Sequence, residues 1–172
     1  MRVNIGIDVS KDSLDLCILI NNTKSGRKFK CFKNRKEEYS ELEKWLSKYL
    51  KSKPNESLVT LESTGVYHEA IALFLHNFGF NIFISNPGKA KKFSQSIGLV
   101  HKTDKSDAYM LARYGDTQNE NLNLWAPDNE NVRKIKVLMR RLSALGAAMR
   151  KLIQICFESD YISKNFFLKV FC

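Results

Sequence analysis

The sequence predicts an α/β fold: a mixed sheet, antiparallel in its first three strands and parallel thereafter, with flanking helices and a long coiled-coil-type helix at the end. Three observations carry this. The chain opens on a two-residue hydrophobic alternation, turns from residue 36 onward to alternating helical and extended segments, and closes on a three-and-four apolar repeat. The 172 residues suit one compact core, and 44% hydrophobic with 27% charged residues excludes global disorder. Lys and Arg number 28 against 18 Asp and Glu, a net charge of +10. That balance favours a polyanionic partner, nucleic acid ahead of an anionic membrane surface.

Val3, Ile5, Ile7 and Val9 fall on one face of the first strand and Asn4, Gly6, Asp8 and Ser10 on the other. Leu14 to Ile20 is a second strand, Asn21 to Arg27 a turn and Lys28 to Phe32 a third strand. Tyr39, Leu42, Leu46, Tyr49 and Leu50 recur at helical spacing within Lys36 to Lys53, and Pro54 ends that helix. Ser57 to Leu61 and Phe80 to Ser85 are strands, with a helix between them from Tyr67 to Asn77. Pro87 opens a short helix, and Asp104 to Tyr114 is a helix stopped by Gly115. Asp116 to Asn131 reads as loop around Trp125 and Pro127. From Ile135 through Leu138, Leu142, Leu145, Met149 and Leu152 to Cys156 the steps follow an a/d heptad seam. Arg133, Lys134, Lys136, Arg140, Arg141, Arg150 and Lys151 add positive charge with no acidic residue among them. Self-association, or packing on the chain's own domain, would cover the seam.

Asp8 stands where a signal peptide carries its apolar core, so a cytoplasmic location is expected. The uncharged run from Ala70 to Gly88 holds too many polar and turn residues to suit a membrane, and no membrane partner is expected. Cys17, Cys31, Cys156 and Cys172 form no C-x-x-C pair, which suits reduced thiols rather than zinc or disulfides. His68, His76 and His101 lack ligand spacing.

Four carboxylates stand out: Asp8 in the first strand, Glu62 at the end of the fourth, and Asp104 and Asp107 one turn apart on a helix. Singly they suit solvent exposure or helix N-terminal positions. Strand ends and a helix start that converge would instead gather them at one crevice. Such a cluster repels itself unless it holds cations, and hard oxygen ligands select Mg²⁺ or Mn²⁺. Two such ions serve phosphodiester chemistry, so a basic chain carrying them is a nuclease or strand-transferase candidate.

GIDVSK at Gly6 to Lys11, ESTGVY at Glu62 to Tyr67, NPGKAKKF at Asn86 to Phe93 and KTDKSDAYMLARYG at Lys102 to Gly115 closely resemble, in this order and spacing, the N-terminal half of DEDD transposases of the Piv/MooV type, the insertion-sequence family one-ten. The resemblance covers about residues 1 to 150. It implies a RuvC-like, ribonuclease-H-type fold with Asp8, Glu62, Asp104 and Asp107 as a catalytic, metal-binding tetrad. It further implies site-specific DNA recombination guided by a structured bridge RNA. The expected organisation is a catalytic domain over 1–127, a basic heptad helix over 128–157 and a tail over 158–172.

Lys11, Lys102 and Lys105 flank the motif carboxylates, and Lys89, Lys91 and Lys92 cluster beside Phe93. With Arg133, Lys134, Arg140 and Arg141 they are candidate contacts to nucleic-acid backbone, or simply solvated charge. Ser10, Ser63 and Ser106 suit turn and capping roles. The resemblance implies a second domain with a nucleophilic serine, and a truncated or frameshifted copy, or an isolated domain, unable to complete recombination, is the expectation for this ending. The alternatives are a stand-alone metal-dependent endonuclease of the Holliday-junction type and a non-catalytic nucleic-acid-binding remnant.

Overall fold

The computed structural model describes residues 3–23, 25–50, 53–63, 65–98, 103–118 and 122–170, with side chains as far as residue 158. The expected strands β1 (Val3–Val9), β2 (Ser13–Ile20) and β3 (Arg27–Lys33) form the antiparallel meander. β4 (Ser57–Glu62) lies parallel to β1, and β5 (Asn81–Ser85) parallel to β4. The order β3-β2-β1-β4-β5 makes β1 central.

Alternation divides the sheet into two faces. Val3, Ile5, Ile7 and Val9 join Leu14, Leu16, Ile18, Val59, Leu61 and Ile82 under two helices. These are α1 (Lys36–Tyr49), buried through Tyr39, Leu42 and Leu46, and α2 (Tyr67–Asn77), buried through Ile71, Ala72 and Leu75. α1 stops at Tyr49 rather than running to Lys53, since Leu50 is already extended. Pro54 opens a separate 3-10 turn, and the residue ahead of it is sterically held in extended backbone.

The second face takes α3 (Pro87–Ser96) and α4 (Asp104–Thr117). Asn86 caps α3, its side chain accepting from the backbone N–H groups of Gly88 and Lys89, with Pro87 in the first turn. Phe93 packs on Tyr114 of α4, ring centroids 5.2 Å apart, and so does not stand out with Lys89, Lys91 and Lys92. α4 starts on a capping box between Thr103 and Ser106. It does not end at Gly115: that residue lies inside the helix, where a Cβ would come within 2.1 Å of Thr60 Oγ1. Glycine serves close packing there, not termination. The loop beyond is tied down at Trp125, whose backbone N–H donates to Ile82 O at 2.7 Å.

The chain divides into two compact units, 1–127 and 128–172. The second is built on α5 (Glu130–Val170), which continues past Phe157 into the stretch expected as a tail. Among the described residues no helix is long and apolar enough to cross a membrane. Cys17 is buried while Cys31 and Cys156 are exposed, all as free thiols; Cys172 lies outside the described residues.

The tightest constraint in the first unit is Gly6, where a Cβ would stand 2.0 Å from Ala108 O and 2.4 Å from Ala112 N, both backbone atoms of α4. Gly6→Ala must therefore lift α4 from β1. The expected cost is about 3 kcal/mol or more, at the upper end of core overpacking. Urea unfolding checks it; a loss under about 1 kcal/mol would show that α4 does not rest on β1 at this point.

Candidate metal and nucleic-acid site

The α4 contacts fix which strand residues share its face. Asn4 Nδ2 donates to Asp116 Oδ1 at 2.8 Å, Gly6 meets Ala108 and Ala112, and Asp8 follows by alternation. α4 thus runs against the direction of β1, its first turn lying over the end where Asp8 sits. On β4, Leu58 and Thr60 meet Gly115, and Glu62 follows by the same alternation. Ile7 is the partner of Leu61, so Asp8 and Glu62 come next on adjacent parallel strands. Asp104 and Asp107 occupy the first turn of α4. The structure thereby brings all four sequence-predicted carboxylates to one edge of the sheet.

The electrostatics record this convergence. Partial burial comes first, and then the negative field of Asp107, Asp104, Glu62 and Asp15 in that order; together they push the Asp8 carboxyl up to about 6. Among the described residues, no three His, Cys, Asp or Glu side chains stand close enough to hold an ion. The donor set nonetheless suits a divalent ion: carboxylate oxygens are the hard ligands of Mg²⁺ and Mn²⁺.

Two neighbours of the set are absent from the sequence reading. Asp15 pairs directly with Asp8 across the β1–β2 hairpin, and Ser85 pairs with Glu62. Asp15, Asp8, Glu62 and Ser85 therefore form one row over four adjacent strands. The Ser85 hydroxyl is buried with no partner among the described residues. At the far end of the row, partial desolvation first and then the neighbouring Asp15 carboxylate raise the pKa of the otherwise exposed Cys31 thiol. The signal for Asp15 lies in the hairpin: the Ser10–Ser13 turn, in which Ser13 N–H donates to Ser10 Oγ at 2.9 Å, sets the register that pairs Asp8 with Asp15.

The basic candidates are dispersed. Lys11 is exposed in the β1–β2 turn, Lys105 is exposed on the first turn of α4, and Lys89, Lys91 and Lys92 are exposed on α3. Lys102 lies outside the described residues. On α5, Lys134, Arg140 and Arg141 are exposed and Arg133 is half-buried. The run is not free of acidic neighbours: Lys134 pairs with Glu130 at 2.8 Å, and Lys136 with Asp128. Such exposed pairs are weak and leave the lysines able to exchange partners. Ser10 and Ser106 are engaged locally, in the turn and in the capping box.

A family model described as a transposase, DEDD_Tnp_IS110, matches residues 5–156. The pilin gene-inverting proteins of Moraxella bovis and Moraxella lacunata are each 33% identical over 141 residues, covering 81% of this chain and 42% of theirs. The chain thus spans less than half the length of these relatives. Among solved structures, RuvC of Thermus thermophilus superposes with a TM-score of 0.53 over 72% of this chain and 99% of its own, at 12% identity. The same protein in complex with a Holliday junction gives 0.50 over 73% of this chain and 100% of its own, at 11% identity. At that identity the likeness concerns the fold, a RuvC-like, ribonuclease-H-type sheet. With the family match covering nearly the whole described chain, this protein belongs to the DEDD transposases of the IS110 type.

Proposed function

We propose that this chain forms the metal-dependent, nucleic-acid-binding catalytic part of a site-specific DNA recombinase, of the kind the name of the pilin gene-inverting relatives describes. The observation that carries it is the placement of Asp8, Glu62, Asp104 and Asp107 at one sheet edge, where partial burial first and then the field of the other carboxylates raise the Asp8 carboxyl to about 6. Those four residues would hold Mg²⁺ or Mn²⁺. A bound ion of this kind supplies Lewis acidity toward a phosphodiester and offsets the carboxylate repulsion. Asp8 sits on the rigid central strand and Glu62 on its neighbour, so two donors are fixed by the sheet. Asp104 and Asp107 are fixed by a helix whose start is locked by its capping box. The positive end of that helix dipole also tempers the charge of the set. The exposed lysines of α3, with Lys11, Lys102 and Lys105, and the basic residues Arg133, Lys134, Arg140 and Arg141 serve as backbone contacts to DNA and to a structured guide RNA.

The domain arrangement proposed is a catalytic unit over 1–127, followed by a helical unit that pairs with a second copy. Leu142 is 72% and Leu145 68% exposed on α5, at the middle of a seam that reads as a dimer interface.

Three outcomes are expected. Asp8→Ala weakens Mn²⁺ binding at least tenfold by titration calorimetry and abolishes any metal-dependent nicking of branched DNA; parent-like Mn²⁺ affinity would sink the tetrad. Stability depends on pH with a definite sign. The Asp8 carboxyl titrates near 6 in the folded chain and near 3.9 unfolded, so the native state binds the extra proton and loses stability as pH rises between about 4 and 6. In chelator, Asp8→Asn should therefore melt a few degrees above the parent at pH 7.5 and level with it near pH 4, on a scale of about 2–4 °C per kcal/mol. Equal melting at both pH values would remove the electrostatic argument. Finally, the Leu142→Asp/Leu145→Asp double variant should sediment as a monomer where the parent is larger, and an unchanged mass would exclude the seam as an interface.

A further inference from the structure

We propose that Arg27, Arg113 and Tyr109 form an anion site that grips a backbone phosphate of nucleic acid about 16 Å from Asp8, by the strand spacings given below. Arg27 Nη2 donates to the Tyr109 hydroxyl oxygen at 2.6 Å, and Arg113 Nη1 donates to the same oxygen at 3.1 Å. The Arg27 guanidinium also lies on the Tyr109 ring, 3.9 Å from its centroid. Two cations thus converge on one neutral phenol. Neither is paired with a carboxylate among the described residues. Asp116, one turn along α4 from Arg113, accepts from the side-chain amides of Asn4 and Asn22.

The hydrogen-bond inventory then dictates the ligand. A phenol oxygen has two lone pairs, and both are taken by guanidinium N–H groups, so the phenol O–H is left to donate outward. Each guanidinium keeps further donors and has no acceptor to offer. The Nε–H groups of both arginines are buried without a partner among the described residues. The site therefore presents donors only, with doubled positive charge, and what completes it is an oxyanion. Arginine forks match phosphate oxygens in geometry as well as charge.

Its position suits a strand that also reaches the carboxylates. Leu19 is the partner of both Asn4 and Arg27, whereas Asp15 is the partner of both Asp8 and Cys31. Arg27 is thus offset from Asp8 by four residues along the strands and two strands across, roughly 13 Å and 10 Å by sheet spacings. Between them on the same face of β3 lies Phe29, paired with Cys17 and 39% exposed, an aromatic surface on which a base can stack. The nucleic-acid identity of the anion rests on the preceding proposal; the donor-only chemistry does not.

The test measures binding of a duplex DNA of about 30 base pairs, and separately of an RNA hairpin, in chelator across roughly 50–200 mM salt. Arg113→Gln, Arg27→Gln and the double variant are compared with Lys44→Gln, which removes one charge from α1 on the opposite face of the sheet. Because both arginines clamp one phosphate, each single variant and the double should lower the salt slope by about one, and affinity by roughly tenfold near 100 mM. Lys44→Gln should change neither. Arg113→Gln removes only a hydrogen bond within its own helix, so it keeps the test valid even where Arg27→Gln loosens the β2–β3 hairpin, as thermal melting would register. A loss with DNA alone, or with RNA alone, assigns the phosphate to that strand type. Slopes equal to the parent's with both ligands overturn this site while leaving the proposed function standing. A parent that binds neither nucleic acid overturns both.

Discussion

The contact on which the rest depends is the seating of α4 directly against the backbone of β1. Helix and strand come this close only because position 6 has no side chain and positions 108 and 112 carry no more than a methyl group. The same economy recurs at Gly115 against Thr60 and Leu58, so the helix is held along two neighbouring strands at once. Its direction follows from that seating, and with it the location of its first turn. A helix with larger residues at these points would ride higher, and Asp104 and Asp107 would leave the level of Asp8 and Glu62. Packing, not the carboxylates themselves, puts the acidic set at one edge.

That arrangement runs against stability. Partly buried, and with four further carboxylates adding to the field around it, Asp8 holds its proton more tightly than a carboxylate in water would. A core built for stability alone would have a neutral residue at this position of a central strand. Local violations of the folding rules concentrate at functional or strained sites, and here the violation is confined to the half-buried ends of β1 and β4 and the start of α4. The apolar face beneath, from Val3 to Ile82, carries no such compromise.

The meander, the parallel additions and the helices on both faces were legible because strands and helices imprint different periods on the chain. Tyr67–Asn77 agrees to the residue with its expected span. The failures share a cause: they concern what lies opposite a residue, which no local period records. Gly115 has the composition of a helix stop, yet its partner is Thr60, 55 positions earlier in the chain. Phe93 reads as a companion of the neighbouring lysines until Tyr114 is seen to cover it. Asp15 was hidden by its own strand, where it looks like any polar member of an alternating pair. Arg27 and Arg113 stand 86 positions apart and become neighbours only through Tyr109.

The second unit poses a different problem. α5 spans 41 residues, and within its own unit the side chains at Ile135, Leu138, Leu142, Leu145, Met149 and Leu152 are all exposed. Helices in proteins draw most of their stability from burying an apolar face, propensity alone being marginal. Here the described ion pairs, Lys134–Glu130 and Lys136–Asp128, sit at the helix start and add little. The seam keeps its three-and-four spacing over three heptads, which is the pattern that lets one helix lie along another of the same kind. The basic residues interleave with it, and pairing along the seam would double their positive charge on one rod. Under the pairing proposed above, the apolar and the basic patterns of α5 would answer one requirement: an element held together by a partner helix while its basic residues stay open to a polyanion.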